Sequence, residues 1–262
     1  MTQQDIDSTE APLIEHLIEL RRRLIYCVVG FVIAFIGSFV FSSDILHYLI
    51  LPFKWGTGDD VSLISIKLLG VFLVKLKIAF FGALFITFPL IAVQIYRFVA
   101  PGLYANEKNA FRPYLMATPV FFLLGASLVY FFLLPVAIGF FYSLAAGTGT
   151  DGTAGIQLMP DIEAYLDFVM MLILAFGLCF QLPVILTLLG QAGIVNYEQL
   201  KSGRKFAIVG VFVVAAVLTP PDPISQIAMA VPLLALYELS VQAVRFLDAR
   251  RKKAREAEEA KA

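Results

Sequence analysis

Charge is scarce in this chain. Lys, Arg, Asp and Glu make up 15% of its 262 residues, against 60% hydrophobic residues and a mean hydropathy of +0.84. A water-exposed globular surface needs far more charge, so a soluble domain is excluded. The formal net charge is zero, and no Lys/Arg stripe with interleaved aromatics occurs, which argues against a nucleic-acid partner. Cysteine is nearly missing. Cys27 and Cys179 both lie inside apolar runs, where they read as small buried hydrophobes, and they offer neither a disulfide framework nor a metal-ligand spacing. Histidine is limited to His16 and His47. With no HExxH, no G-x-S-x-G, no G-x-G-x-x-G and no P-loop, nothing supports an enzyme, a cofactor or a metal centre. The first twelve residues, MTQQDIDSTEAP, lack the basic region of a cleaved signal peptide, so the first span is expected to remain as an anchor.

Long apolar runs are abundant. Several exceed the roughly 18 residues needed to cross a bilayer, and the alternation of a β-barrel is missing. The fold class is all-α and polytopic, with six transmembrane helices expected at about 24–42, 71–98, 114–141, 163–190, 207–218 and 224–241. Sixteen of the twenty lysines and arginines fall before the first span, between spans two and three, between spans four and five, or after span six. Lys54, Lys67, Lys75 and Lys77 fall on the other side. The positive-inside rule then places both termini in the cytoplasm.

The last two spans read as short, the alternative being a fifth helix that begins nearer Leu200, and twelve helical residues rise only about 18 Å against a hydrocarbon core of about 30 Å. Such a pair must thin the bilayer, admit water or be covered by a partner. Pro89, Pro119, Pro135, Pro183 and Pro232 lie inside spans, where each removes a helix hydrogen bond and bends the axis; that favours a curved assembly. The connections 43–70 and 142–162 are turn-rich and read as caps outside the membrane. A six-span membrane domain, 1–247, is followed by a charged tail, 248–262, whose basic start suits anionic lipid. No internal repeat is visible, which weakens an inverted-repeat transporter reading.

The segment LIEHLIELRRRL, 13–24, carries an apolar stripe at Leu13, Ile14, Leu17, Ile18 and Leu24, with Glu15, Glu19, Arg22 and Arg23 on the other side. Such a helix is expected to lie at the membrane surface. Glu19 has two readings, a solvated ion pair with Arg22 or Arg23 or a receptor for an external cation. Glu107, in the loop PGLYANEK at 101–108, falls on the same side of the membrane. Two carboxylates together at an interface suit a pair of guanidinium groups, each held in a bidentate fork. Lys75 and Lys77 read as snorkelling cations. Gln181, midway through span four, needs a hydrogen-bond partner inside the protein or on a partner helix. Glu238 reads as interfacial, and Asp222, in TPPDP, as a turn former. Glu238 and Gln181 are also the residues a secondary transporter would use.

LIEHLIELRRRL at 13–24, FVAPGLYANEK at 98–108, FGLCFQLPV at 176–184 and LTPPDPISQ at 218–226 resemble the TatC family of the twin-arginine protein translocase, in order and over nearly the whole chain. The resemblance implies six helices in a curved, cupped arrangement in the cytoplasmic (inner) membrane. It implies a receptor that recognises twin-arginine signal peptides of folded cargo, works with TatA- and TatB-type single-span partners, self-associates in a receptor complex, and is driven by the protonmotive force. By that resemblance Glu19 and Glu107 are the signal-peptide carboxylates, and Arg21, Leu103, Tyr104, Pro52, Lys77 and Asp222 fall on motif positions. The resemblance places partner docking on the 207–218 segment. Gln181 departs from the family, in which many members carry Glu. An amide cannot titrate, so proton carriage at this position is not supported, whereas hydrogen bonding to a partner's polar group remains available.

Overall fold

Between Leu13 and Gly30 there is no glycine and no proline, so nothing in this stretch ends a helix. In the computed structural model, which describes residues 3–58, 63–103, 112–146, 160–218 and 223–259, α1 accordingly runs unbroken over Gln3–Val40. The segment 13–24 is therefore not a separate surface helix, as its amphipathicity suggests, but the leading part of the first span. Ile14, Leu17, Ile18 and Leu24 are all exposed on it.

The helices that follow are α2 (Ser42–Thr57), α3 (Gly70–Leu103), α4 (Arg112–Leu128), a π-helical turn (Val129–Leu133), α5 (Leu134–Ala146), α6 (Ile162–Cys179), α7 (Leu182–Ala192), α8 (Tyr197–Leu218) and α9 (Pro223–Glu259). Extended structure among the described residues is limited to a single parallel bridge, Ile64 with Asp161. Among the described residues five helical stretches are long and apolar enough to cross a membrane: His16–Val40, Gly70–Phe98, Pro113–Leu144, Ile162–Ala192 and Gln226–Lys253.

The short span expected at 207–218 is corrected. It is the second half of α8, a helix of 22 residues, or about 33 Å. Lys201, Arg204 and Lys205 in its first turns keep it out of the apolar class. The 43–70 connection is also not merely turns, because α2 occupies most of it. The 248–262 tail continues α9 as far as Glu259. GTGTDGTAG at 147–155 lies outside the described residues.

The chain divides into two units, Met1–Leu46 with Lys75–Leu115 and His47–Val74 with Met116–Ala262. In the first, α1 and α3 run antiparallel. His16 stacks on Phe98 with ring centroids 4.1 Å apart, Arg23 meets Gln94, Gly30 admits Leu90, and Gly82 admits Ser38. The α1 contacts at 16, 23 and 30 recur every seven residues, the spacing of a helix–helix seam. Little of the described face of α1 is covered, with 6% of the apolar window within His16–Val40 buried.

In the second unit two prolines shape the backbone. Pro52, buried inside α2, has no N–H for the Tyr48 carbonyl four residues back. The Tyr130 hydroxyl donates to that carbonyl at 2.6 Å, and the Tyr165 hydroxyl donates to the neighbouring Leu49 carbonyl at 2.7 Å. Tyr130 itself stands in the π-helical turn. Pro135 cannot satisfy the Phe131 carbonyl, and the chain responds by widening one turn, closed by Leu134 N–H to the Val129 carbonyl. Trp55 of α2 stacks on Phe131 and meets Tyr130 edge-on. Gly56 gives these helices room, since a Cβ there would lie 2.8 Å from the Pro135 carbonyl oxygen. Tyr130→Phe is expected to lower stability by about 1 kcal/mol by orphaning the Tyr48 carbonyl. Equilibrium unfolding in mixed detergent micelles checks it, and an unchanged midpoint contradicts it.

Pro183 does not bend a continuous span. It sits in the first turn of α7, where its missing N–H costs nothing, and the helix breaks at Phe180–Gln181. The core lies along α6, where Leu166, Val169, Leu172, Ile173 and Phe176 are buried. A second cluster, Leu200 with Val241 and Val244, joins α8 to α9, with Leu186 and Tyr237 packed around it.

Candidate functional site

The carboxylate of Glu19 is held by a guanidinium. Arg23, one turn further along α1, donates to Glu19 Oε1 through Nε at 3.0 Å and also through Nη2. Both bonds fall on one oxygen, so among the described residues Oε2 receives no donor. Arg23 Nη1 donates to Gln94 Oε1 on α3 at 3.2 Å. The sequence offers Arg22 and Arg23 equally as partners of Glu19. The tertiary contact with Gln94 decides for Arg23, whose side chain is 17% exposed against 30% for Glu19. Glu ahead of Arg at i, i+4 is also the favoured orientation on a helix. Arg21 and Arg22 are exposed on the same turn.

Beside this pair, the His16–Phe98 stack fixes α3 against α1. From Phe98 the helix continues five residues, about 7.5 Å, to Leu103, the last residue of α3. Because α1 and α3 are antiparallel, the end of α3 lies beyond His16, on the side of that stack away from Glu19. Glu107, Tyr104 and the Leu103 side chain lie outside the described residues, as does Asp222.

Lys77 is half-buried in α3, and Pro52 plays the backbone part described above. Gln181 is buried at the α6–α7 break. Its Nε2 donates to the Thr118 carbonyl on α4 at 3.0 Å, so this amide is turned into its own unit. Among the described residues its buried Oε1 has no partner. Glu238 accepts from Arg204 Nη2 at 2.7 Å and from Gln242 Nε2 at 2.9 Å, an ion pair tying α9 to α8 that sequence reasoning missed. The two residues lie 34 apart in the chain, so no local spacing reveals it. On α8, Phe206, Val209, Val213 and Val217 form an exposed apolar stripe at spacings of three and four. Among the described residues no three of His, Cys, Asp and Glu gather into a metal-holding group.

These features can be set beside known proteins. Residues 15–232 match the family model described as Sec-independent protein translocase protein (TatC). A curated relative of that name from Magnetococcus marinus is 40% identical over 251 residues, covering 96% of this chain and 90% of the relative. The relative of the same name from Escherichia coli K12 is 36% identical over 235 residues, covering 90% of this chain and 88% of the relative. Among solved structures, the crystal structure of a twin arginine translocase receptor, TatC, in DDM matches with a TM-score of 0.76 and 37% identity, covering 86% of this chain and 97% of that one.

Proposed function

Because the chain belongs to the TatC family of Sec-independent protein translocases, and so is a membrane translocase component, we propose that it is the receptor that reads the paired arginines of signal peptides, using Glu19 and Glu107. The observation that carries this reading is the guanidinium already seated on Glu19. Arg23 places two N–H donors on Oε1, and among the described residues Oε2 is open to a second guanidinium. An incoming arginine binds there or displaces Arg23, whose attachment is a partly exposed i, i+4 pair and therefore weak. Glu107, in the motif that follows α3, takes the second arginine.

Family membership supports the rest of the reading. The chain crosses the inner membrane six times, with α8 as the fifth span and both termini in the cytoplasm. The exposed stripe on α8 docks a single-span TatA- or TatB-type helix, copies associate in a receptor complex, and transport draws on the protonmotive force. The inward-turned Gln181 carries no proton.

Site-specific crosslinking tests the receptor reading. A photo-reactive residue placed in turn at positions 15–23 and 103–108 is expected to capture a twin-arginine signal peptide at both stretches. Capture on α8 alone, with none at either stretch, would sink the proposal. The transporter reading is disfavoured by the engagement of Glu238 with Arg204 and Gln242. Solute uptake by vesicles holding this chain alone would revive it.

A further inference from the structure

The C-terminus of α7 and the N-terminus of α8 meet against the flank of α9. Helix α7 stops at Gly193, which adopts φ 76° and returns its N–H to the Gly190 carbonyl. Helix α8 starts with a reciprocal cap, in which the Asn196 and Gln199 side chains each accept from the other's backbone N–H at 2.9–3.0 Å. Helix α9 passes both. Its Asp248 accepts the Tyr197 N–H at 2.9 Å, and its Arg251 donates to the Gly190 carbonyl at 2.9 Å.

Between them lies a cavity of about 540 Å³ whose lining includes Arg245, Arg251 and Lys252 as cations and Glu198 and Asp248 as anions. The Asp248 charge is directed at a helix N-terminus, and Arg251 offsets the negative end of α7. Arg245 lies over the Tyr197 ring, 5.5 Å from its centroid. Lys252 has no carboxylate partner among the described residues. The lining is therefore net positive, and among the described residues neither Arg245 nor Lys252 is paired with a carboxylate.

Its position identifies the ligand. One turn before the cationic run Arg250–Lys253, Phe246 is 58% exposed, and Arg250 lies over its ring at 4.3 Å. Another two turns back Leu239 is 60% exposed. Along α9 the surface thus changes from exposed apolar to cationic at the end of a membrane-length stretch, the level at which lipid phosphates lie. We propose that this cavity binds the phosphate of an anionic phospholipid, with Arg245 and Lys252 on the phosphate oxygens and the acyl chains running back along Phe246. Occupancy would hold α7, α8 and α9 together at the membrane boundary, independently of signal-peptide recognition.

Native mass spectrometry of the full chain, titrated with phosphatidylglycerol or with phosphatidylcholine of the same acyl chains, tests this. Phosphatidylglycerol is expected to bind more tightly. The double variant Arg245→Gln with Lys252→Gln should weaken it about 30-fold, since each cation near an anionic lipid contributes about fivefold. Arg245→Lys with Lys252→Arg should retain it. Lys54→Gln with Lys205→Gln, which removes two cations elsewhere, should leave it unchanged. Displacement by millimolar inorganic phosphate would show that the phosphate alone is recognised, and resistance to it that the whole lipid is; either agrees with the site. Equal binding of both lipids, full retention by the first double variant, or equal loss in the Lys54/Lys205 control would overturn it.

Discussion

Gly177→Val is expected to separate α4 from α6 and destabilise the protein by about 3 kcal/mol or more, the upper end for overpacking. The reason is a reciprocal fit. On α4, Phe122 and Gly125 lie three residues apart; on α6, Gly177 and Phe180 do the same. Each phenylalanine sits on the other helix's glycine. A Cβ on Gly177 would lie 2.4 Å from Phe122 Cε2, and one on Gly125 would lie 2.8 Å from both the Phe176 carbonyl oxygen and the Phe180 ring. Phe122 is 2% exposed and Phe180 9%, so neither ring has anywhere to move. Between apolar helices in lipid, such close backbone approach is the main source of association. The break in stability should appear as a lower unfolding midpoint in detergent titration. Phe122→Leu should partly restore Gly177→Ala by vacating the contested volume. A wild-type midpoint for Gly177→Val, or no relief in the double variant, would contradict this packing.

Glu19→Ala is expected to weaken binding of a twin-arginine signal peptide by about tenfold or more, as loss of a charge-assisted, bidentate contact does. A twin-lysine peptide should lose far less, because an ammonium cannot use the fork. Glu107→Ala should behave alike. Arg23→Gln should act in the opposite direction. It removes the guanidinium resident on Glu19 and should raise peptide affinity by about two- to fivefold, the strength of an exposed pair. Fluorescence anisotropy of labelled peptides with detergent-solubilised protein measures all of these. Equal losses for both peptides in Glu19→Ala would remove specific pairing. Weaker binding in Arg23→Gln would show that Arg23 positions Glu19 and does not compete for it.

The sequence carries whatever depends on neighbours within a few turns. Composition and run length are enough to establish a polytopic helical protein, and most expected spans fall where apolar helices do. The expected boundary of α8 fails because hydropathy sees only its apolar half; the charged first turns of Tyr197–Leu218 are equally helical. The surface reading of 13–24 fails because amphipathicity describes a face and not an axis, and no breaker separates that face from the span. Glu19 was legible as a carboxylate with two possible arginines, since i+3 and i+4 are both within reach.

Tertiary structure decided the rest, because it joins groups that chain distance keeps apart. Gln94 selects Arg23 from 71 residues away, Tyr130 reaches the carbonyl that Pro52 left open from 82 away, and Gln181 turns inward to Thr118 across 63. In an apolar medium every freed carbonyl and every amide must find its partner within the protein. The sequence by itself therefore determined that this chain lies in a membrane as helices and where its carboxylates enter. Only the packed helices decided which guanidinium holds Glu19, which hydroxyl covers a proline's orphan, and which basic residues share a cavity.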